Sequence, residues 1–231
     1  MHAITADVWS VLILTTLLIV SWLTVKLPLK NVGVSIAPSL SWLIGLGHPM
    51  FVMLVILFVA CRTQVFDSLD DLMASAARLN DNLLMFLLFM HAIIAELFFR
   101  GWLFAYLKTK KYTSTVLIGV TAVSFTVWQL GWYLFSNEFS LAIDSLLVLT
   151  VQLLLIGIIW GKMRHHTGVV WASMIAHLFW SFLALHLFGW CQSEEAIFSE
   201  QLAIYSPDQG FLGIIFNGVF LWIYWIYTKD G

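Results

Sequence analysis

Charge is what this chain has little of. Lys, Arg, Asp and Glu make up 10% of its 231 residues, while 61% are hydrophobic; soluble domains carry about 25% charged residues. That balance excludes an ordinary soluble domain and points to a polytopic membrane protein. A formal net charge of −2, with no basic cluster interleaved with aromatics, leaves no nucleic-acid surface to argue for. Two cysteines make neither a disulfide framework nor a zinc site, and no motif calls for a metal or a cofactor. The N-terminus, M-H-A-I-T-A-D-V-W, lacks a positive leader region, so the apolar run behind it reads as a first span rather than a removed signal. There is no internal repeat, low-complexity tract or second domain, so residues 1–231 read as a single transmembrane domain.

What is there is a series of apolar runs. A span needs about 20 mostly apolar residues. Candidates lie at 8–25, 41–61, 83–107, 113–135, 141–161, 168–188 and 211–228, which makes the fold class all-α: a transmembrane helix bundle of about seven spans. The second run contains G-L-G-H-P at 45–49 and is expected to bend or start late. Residues 62–82 are polar with apolar residues at helical spacing, the pattern of an amphipathic helix on the membrane surface. Residues 189–210 form an acidic, turn-rich loop carrying Glu194, Glu195, Glu200 and Asp208.

The few basic residues fall on one side. With seven spans, Lys26, Lys30, Lys108, Lys110, Lys111, Lys162, Arg164 and Lys229 share one set of loops, and Arg62 and Arg78 the other. The positive-inside rule then places the N-terminus outside and the C-terminus in the cytoplasm. Cys61 and Cys191 fall on the outer side, where a disulfide is permitted; two free thiols are the ordinary alternative.

Two charges interrupt the third run. In H-A-I-I-A-E-L-F-F-R-G (91–101), Glu96 and Arg100 are four apart, share a helix face and can pair. Either charge alone at mid-membrane costs roughly 2.5–3.5 kcal/mol on insertion scales, so the pair is either a structural ion pair or part of a polar site. Further polar residues lie at Gln129 in the fourth run and at His177 and Ser181, four apart, in the sixth. Each alone has an ordinary reading as a residue satisfied by a neighbouring helix. Gly157 and Gly161 would allow close helix packing. His165 and His166, beside Lys162 and Arg164, read as interfacial polar residues.

The stretch A-E-L-F-F-R-G resembles the first motif, Glu-Glu-x-x-x-Arg, of the CPBP family, the CAAX-type or Abi intramembrane proteases. The second Glu (Glu96), the Arg (Arg100) and a following Gly (Gly101) match; Ala95 replaces the first Glu. The family's Phe-x-x-x-His appears as Phe125 with Gln129 in place of His, and its His-x-x-x-Asn as His177 with Ser181 in place of Asn. The resemblance covers a core of about 83–188. It implies a glutamate–histidine hydrolase in a membrane cavity, in which a carboxylate and a His activate water while a His and an Asn stabilise the oxyanion. Ala95 cannot activate water and Gln129 cannot shuttle a proton. The expectation is a CAAX-protease-like protein of a bacterial cell membrane. It would bind a hydrophobic or lipidated peptide segment, or a membrane-protein partner, among membrane lipid, with peptidase activity weak or lost: a pseudoprotease. The alternative is an active intramembrane endopeptidase using Glu96 and His177, in processing, bacteriocin self-immunity or defence. His91, one turn before Ala95, is a candidate to fill part of the vacated place. A transporter would need broken helices and midplane ion ligands, for which only the second run offers a hint.

Overall fold

The computed structural model describes residues 2–35, 39–63, 82–135, 143–188 and 202–228. The expected amphipathic helix at 62–82, Cys191 and the acidic residues Glu194, Glu195 and Glu200 lie outside them; Cys61 is exposed, with a free thiol.

The described residues form helices joined by short turns. The elements are α1 (His2–Thr24), a short α2 (Leu29–Val32), α3 (Ser39–Arg62), α4 (Asn82–Glu96), a π-helical segment (Leu97–Leu103), α5 (Phe104–Thr109), α6 (Ser114–Phe135), α7 (Ile143–Thr167), α8 (Trp171–Phe188), a short α9 (Leu202–Tyr205) and α10 (Phe211–Tyr227). Because α4, the π segment and α5 run on as one rod, seven rods result, one at each apolar run. Four of them are long and apolar enough to cross a membrane, and the apolar parts of α1, α8 and α10 are somewhat shorter. Helix is the solution lipid imposes, since every backbone N–H and C=O must find its partner within the segment.

Two expectations are corrected. The second run does not start late: α3 begins at Ser39 and continues through Pro49. Packing just ahead of the proline holds it, with Gly45 against Ala172 and Ile175, and His48 stacked on Trp180. The fifth run extends past 161 to Thr167. Lys162, Arg164 and the two histidines continue the helix because cations suit a helix C-terminus, and Gly168, at φ +74°, ends it.

Small residues set the closest approaches. A Cβ on Gly157 would lie 3.1 Å from Ala122, and one on Gly161 would lie 3.2 Å from Ile118, so α7 lies close against α6. Beyond that pair, α3 packs on α8, α1 on α4, α4 on α8, and α10 on both α7 and α3. The core runs through Phe99, Phe125, Ile156, Trp160 and Trp180. The third rod meets both the sixth and the fourth directly, while α7 packs on α6, α8 and α10.

Candidate active site

Glu96 ends α4, and Arg100 lies one turn on, inside the π segment. A π turn widens the helix and is frequent at functional sites. Both side chains are fully buried, and Arg100 Nη1 donates to Glu96 Oε1 at 3.0 Å. The arginine is held further by Nη2 donating to the Gly157 carbonyl at 3.3 Å. Its guanidinium lies 4.2 Å from the Phe125 ring centroid and 5.6 Å from that of Trp160. Ring faces offset part of the cost of burying a cation. The π segment is braced from outside. Arg164 Nε donates to the Arg100 carbonyl at 2.9 Å and its Nη2 to the Asn31 carbonyl at 3.0 Å, while Gly101 lies against Val32.

His177, on α8, reaches the same carboxylate oxygen: its Nδ1 lies 3.1 Å from Glu96 Oε1. A carboxylate only accepts, so Nδ1 carries the proton, and Nε2 of a neutral ring keeps its lone pair. Nε2 has no hydrogen-bond partner among the described residues. The ring lies 4.5 Å from Trp160 and meets Phe125 edge-on.

A cavity opens on the other side of His177. Its wall includes His91, Gln129, Trp132, His177, Trp180, Ser181 and Asp208. The space open to water centres is about 50 Å³, room for a few waters at about 10–15 Å³ each. Glu96 is not part of this wall; it lies behind His177. Ala95 is not part of it either, being packed in the core. His91 Nε2 lies 2.9 Å from Gln129 Oε1, and its Nδ1 lies 3.0 Å from Ser10 Oγ. The amide oxygen accepts from Nε2–H and the serine hydroxyl donates to Nδ1, a pattern for a neutral ring. His91 thus faces the cavity, paired with Gln129.

Sequence reading passed over three further polar groups. His48 Nε2 lies 2.6 Å from Asn217 Oδ1, and Trp160 Nε1 donates to His48 Nδ1 at 3.2 Å, which links α3, α10 and α7 behind the site. A lone His and a lone Asn in apolar runs were the available signal, since intramembrane polar residues are functional candidates by default. The third is Asp208, which counted in the sequence as one more loop acid. It enters the cavity wall and accepts from Trp180 Nε1 at 2.7 Å. Burial raises its carboxyl to about 6, against the opposing pull of that hydrogen bond. His165 and His166 are exposed, and His166 Nδ1 pairs with the Tyr224 hydroxyl at 2.9 Å. Among the described residues, no three His, Cys, Asp or Glu gather as a metal site.

Residues 82–183 match the family described as Rce1-like, Type II CAAX prenyl endopeptidase Rce1-like. That stretch of the chain is similar to the CAAX-protease-like family. The match runs from α4 into α8 and so contains Glu96, Arg100, Gln129, His177 and Ser181; Ser10, His48, Asp208 and Asn217 lie outside it. No curated protein and no solved structure matches the chain. With this similarity and its apolar helices, the protein is an integral membrane protein.

Proposed function

We propose that this CAAX-protease-like protein holds a hydrophobic or lipidated peptide segment, or a membrane-protein partner, in its polar cavity, and that its family-type peptidase activity is weak or lost. The observation that supports this reading is the position of Glu96. The carboxylate shares one oxygen between Arg100 and His177 and is screened from the cavity by His177. The two motif positions that would handle the water and its proton hold Ala95 and Gln129. General-base help is worth about 10²–10⁴-fold, so its loss alone reduces turnover severely.

A second reading is favoured by the His177 tautomer. With Nδ1–H directed at Glu96, the Nε2 lone pair is available to take a proton from a cavity water. Glu96 would then orient the base, and Ser181 would stand near the developing oxyanion. We take the basic asymmetry of the loops to mean an outside N-terminus and a cytoplasmic C-terminus, in a bacterial cell membrane.

The test uses a prenylated CAAX peptide with purified protein in detergent. Under the binding reading the wild type binds it without appreciable cleavage, and His177→Ala keeps binding. Ala95→Glu with Gln129→His together gain cleavage, and each alone gains less, because base and histidine act as a unit. A melting curve on each variant separates lost folding from lost chemistry, since Ala95→Glu places a carboxylate in the core. Robust wild-type cleavage, abolished by both Glu96→Gln and His177→Ala, would overturn the binding reading in favour of the second.

A further inference from the structure

We propose that Asp208 and the aromatic wall of the cavity form a cation site that takes a primary ammonium, carried either on a lysine side chain or at the free N-terminus of the bound peptide. The proposal rests on the reading that the cavity receives a peptide, and it names the group that is recognised there.

Asp208 is delivered by a turn outside the helical spans, and that turn is firmly held. The backbone N–H groups of Asp208 and Gln209 donate to Ser206 Oγ at 3.3 and 3.2 Å, and Gly210 N–H donates to the Ser206 carbonyl at 2.8 Å. Gln152 Nε2, from α7, donates to the Pro207 carbonyl at 2.6 Å. The carboxylate is therefore fixed at the cavity rather than free to swing into water.

Its surroundings do not neutralise it. Among the described residues no Lys or Arg lines the cavity, and Arg100 is committed to Glu96. Trp180 Nε1 supplies the one hydrogen bond to the carboxylate among the described residues. Asp208 is half-buried, and an ionised carboxylate partly withdrawn from water with a single hydrogen bond carries a cost, in keeping with its carboxyl being raised to about 6. The rest of the wall includes Trp132, Tyr133 and Trp180, aromatic rings of the kind that attract a cation; Phe125 and Trp160, also in the wall, already carry the Arg100 guanidinium. One carboxylate beside these rings makes the chemistry of an ammonium receptor. At about 50 Å³ the space suits a compact ammonium better than a planar guanidinium. A peptide lying among the helices would thereby be anchored by one end.

Asp208→Asn separates charge from architecture, because the amide oxygen still accepts from Trp180. The first probe is n-butylammonium in nonionic detergent at neutral pH, with n-butanol and n-butyrate as controls. The expected result is a saturable rise in melting temperature with the ammonium alone, its half-maximal concentration about tenfold or more higher in Asp208→Asn, the size of a lost hydrogen bond to a charged group. An equal response to butanol, or an unchanged response in Asp208→Asn, would overturn the proposal. The second probe is a lysine-containing prenylated CAAX peptide. Acetylating its N-terminus weakens binding if the terminal amine is the anchor; replacing its lysine by norleucine does so if the side chain is. If both changes leave binding intact, the cation site is refuted and the peptide-binding reading stands. If butylammonium binds as expected but no form of the peptide does, the peptide-binding reading fails and the cation site stands.

Discussion

Glu96 serves two partners through one oxygen, which makes Arg100 the more consequential of them. Removing Arg100 leaves a buried carboxylate with a neutral imidazole as its remaining partner. Breaking such a pair costs about 3–5 kcal/mol. Gln129→Ala strips one acceptor from His91 and costs about 1–3 kcal/mol. Arg100→Ala is therefore expected to melt well below Gln129→Ala in detergent, and adding Glu96→Gln to Arg100→Ala should recover part of the loss. Equal melting of the two single variants would count against the pair. Asp208 gives a pH-dependent counterpart. Its carboxyl is raised in the folded protein from 3.8 to about 6, so across that window the folded state holds more proton than the unfolded one. Stability from this group is present below pH 4 and is lost as pH rises toward 6. His91, His177 and Tyr133 face the same cavity, so the informative quantity is the difference from Asp208→Asn. The variant should gain stability relative to wild type as pH rises from about 4 to about 6. A variant less stable than wild type at neutral pH would mean that Asp208 is there for the fold.

At the scale of helices, contact distance separates one glycine from another. Gly157 lies against Ala122, and its carbonyl receives Arg100, whereas a Cβ on Gly119 would meet nothing within 4 Å. Gly157→Ala should lower the melting temperature. Gly119→Ala should leave it unchanged or raise it, since alanine is favoured over glycine by about 1 kcal/mol in a helix. The same contrast shows how far the sequence could be read. Apolar runs of span length marked all seven rods, because lipid demands length and apolarity from each segment separately. Glu96, Arg100 and His177 were legible because a charge or a lone imidazole in such a run is conspicuous. His48 with Asn217 and Trp160 was not, since those contacts join residues 169 and 112 positions apart and depend on which helices become neighbours. Asp208 was hidden for a related reason: a loop acid looks solvated until the turn that carries it is seen to fold inward. The π segment left no mark, because a run apolar on every side carries no periodicity to shift.

For the whole molecule, the arrangement in the membrane is the open measurement. An outside N-terminus puts Cys61, exposed at the end of α3, on the outer face. In a Cys191→Ser background, a membrane-impermeant maleimide should label Cys61 on intact cells; labelling that requires lysis would reverse the topology. The π segment has a consequence at this scale too. Leu97–Leu103 spends one residue more per turn than the helices on either side. It therefore takes up a residue without turning the rod: with one residue removed, an ordinary helix would join the same two ends with nearly the same aim. The change would be felt locally, at Arg100 and Gly101, which now reach the Gly157 carbonyl and Val32, and at the Arg100 carbonyl that Arg164 holds. The segment works as slack in the rod, and what it sets is the placement of Arg100 beside Glu96 rather than the direction of the span.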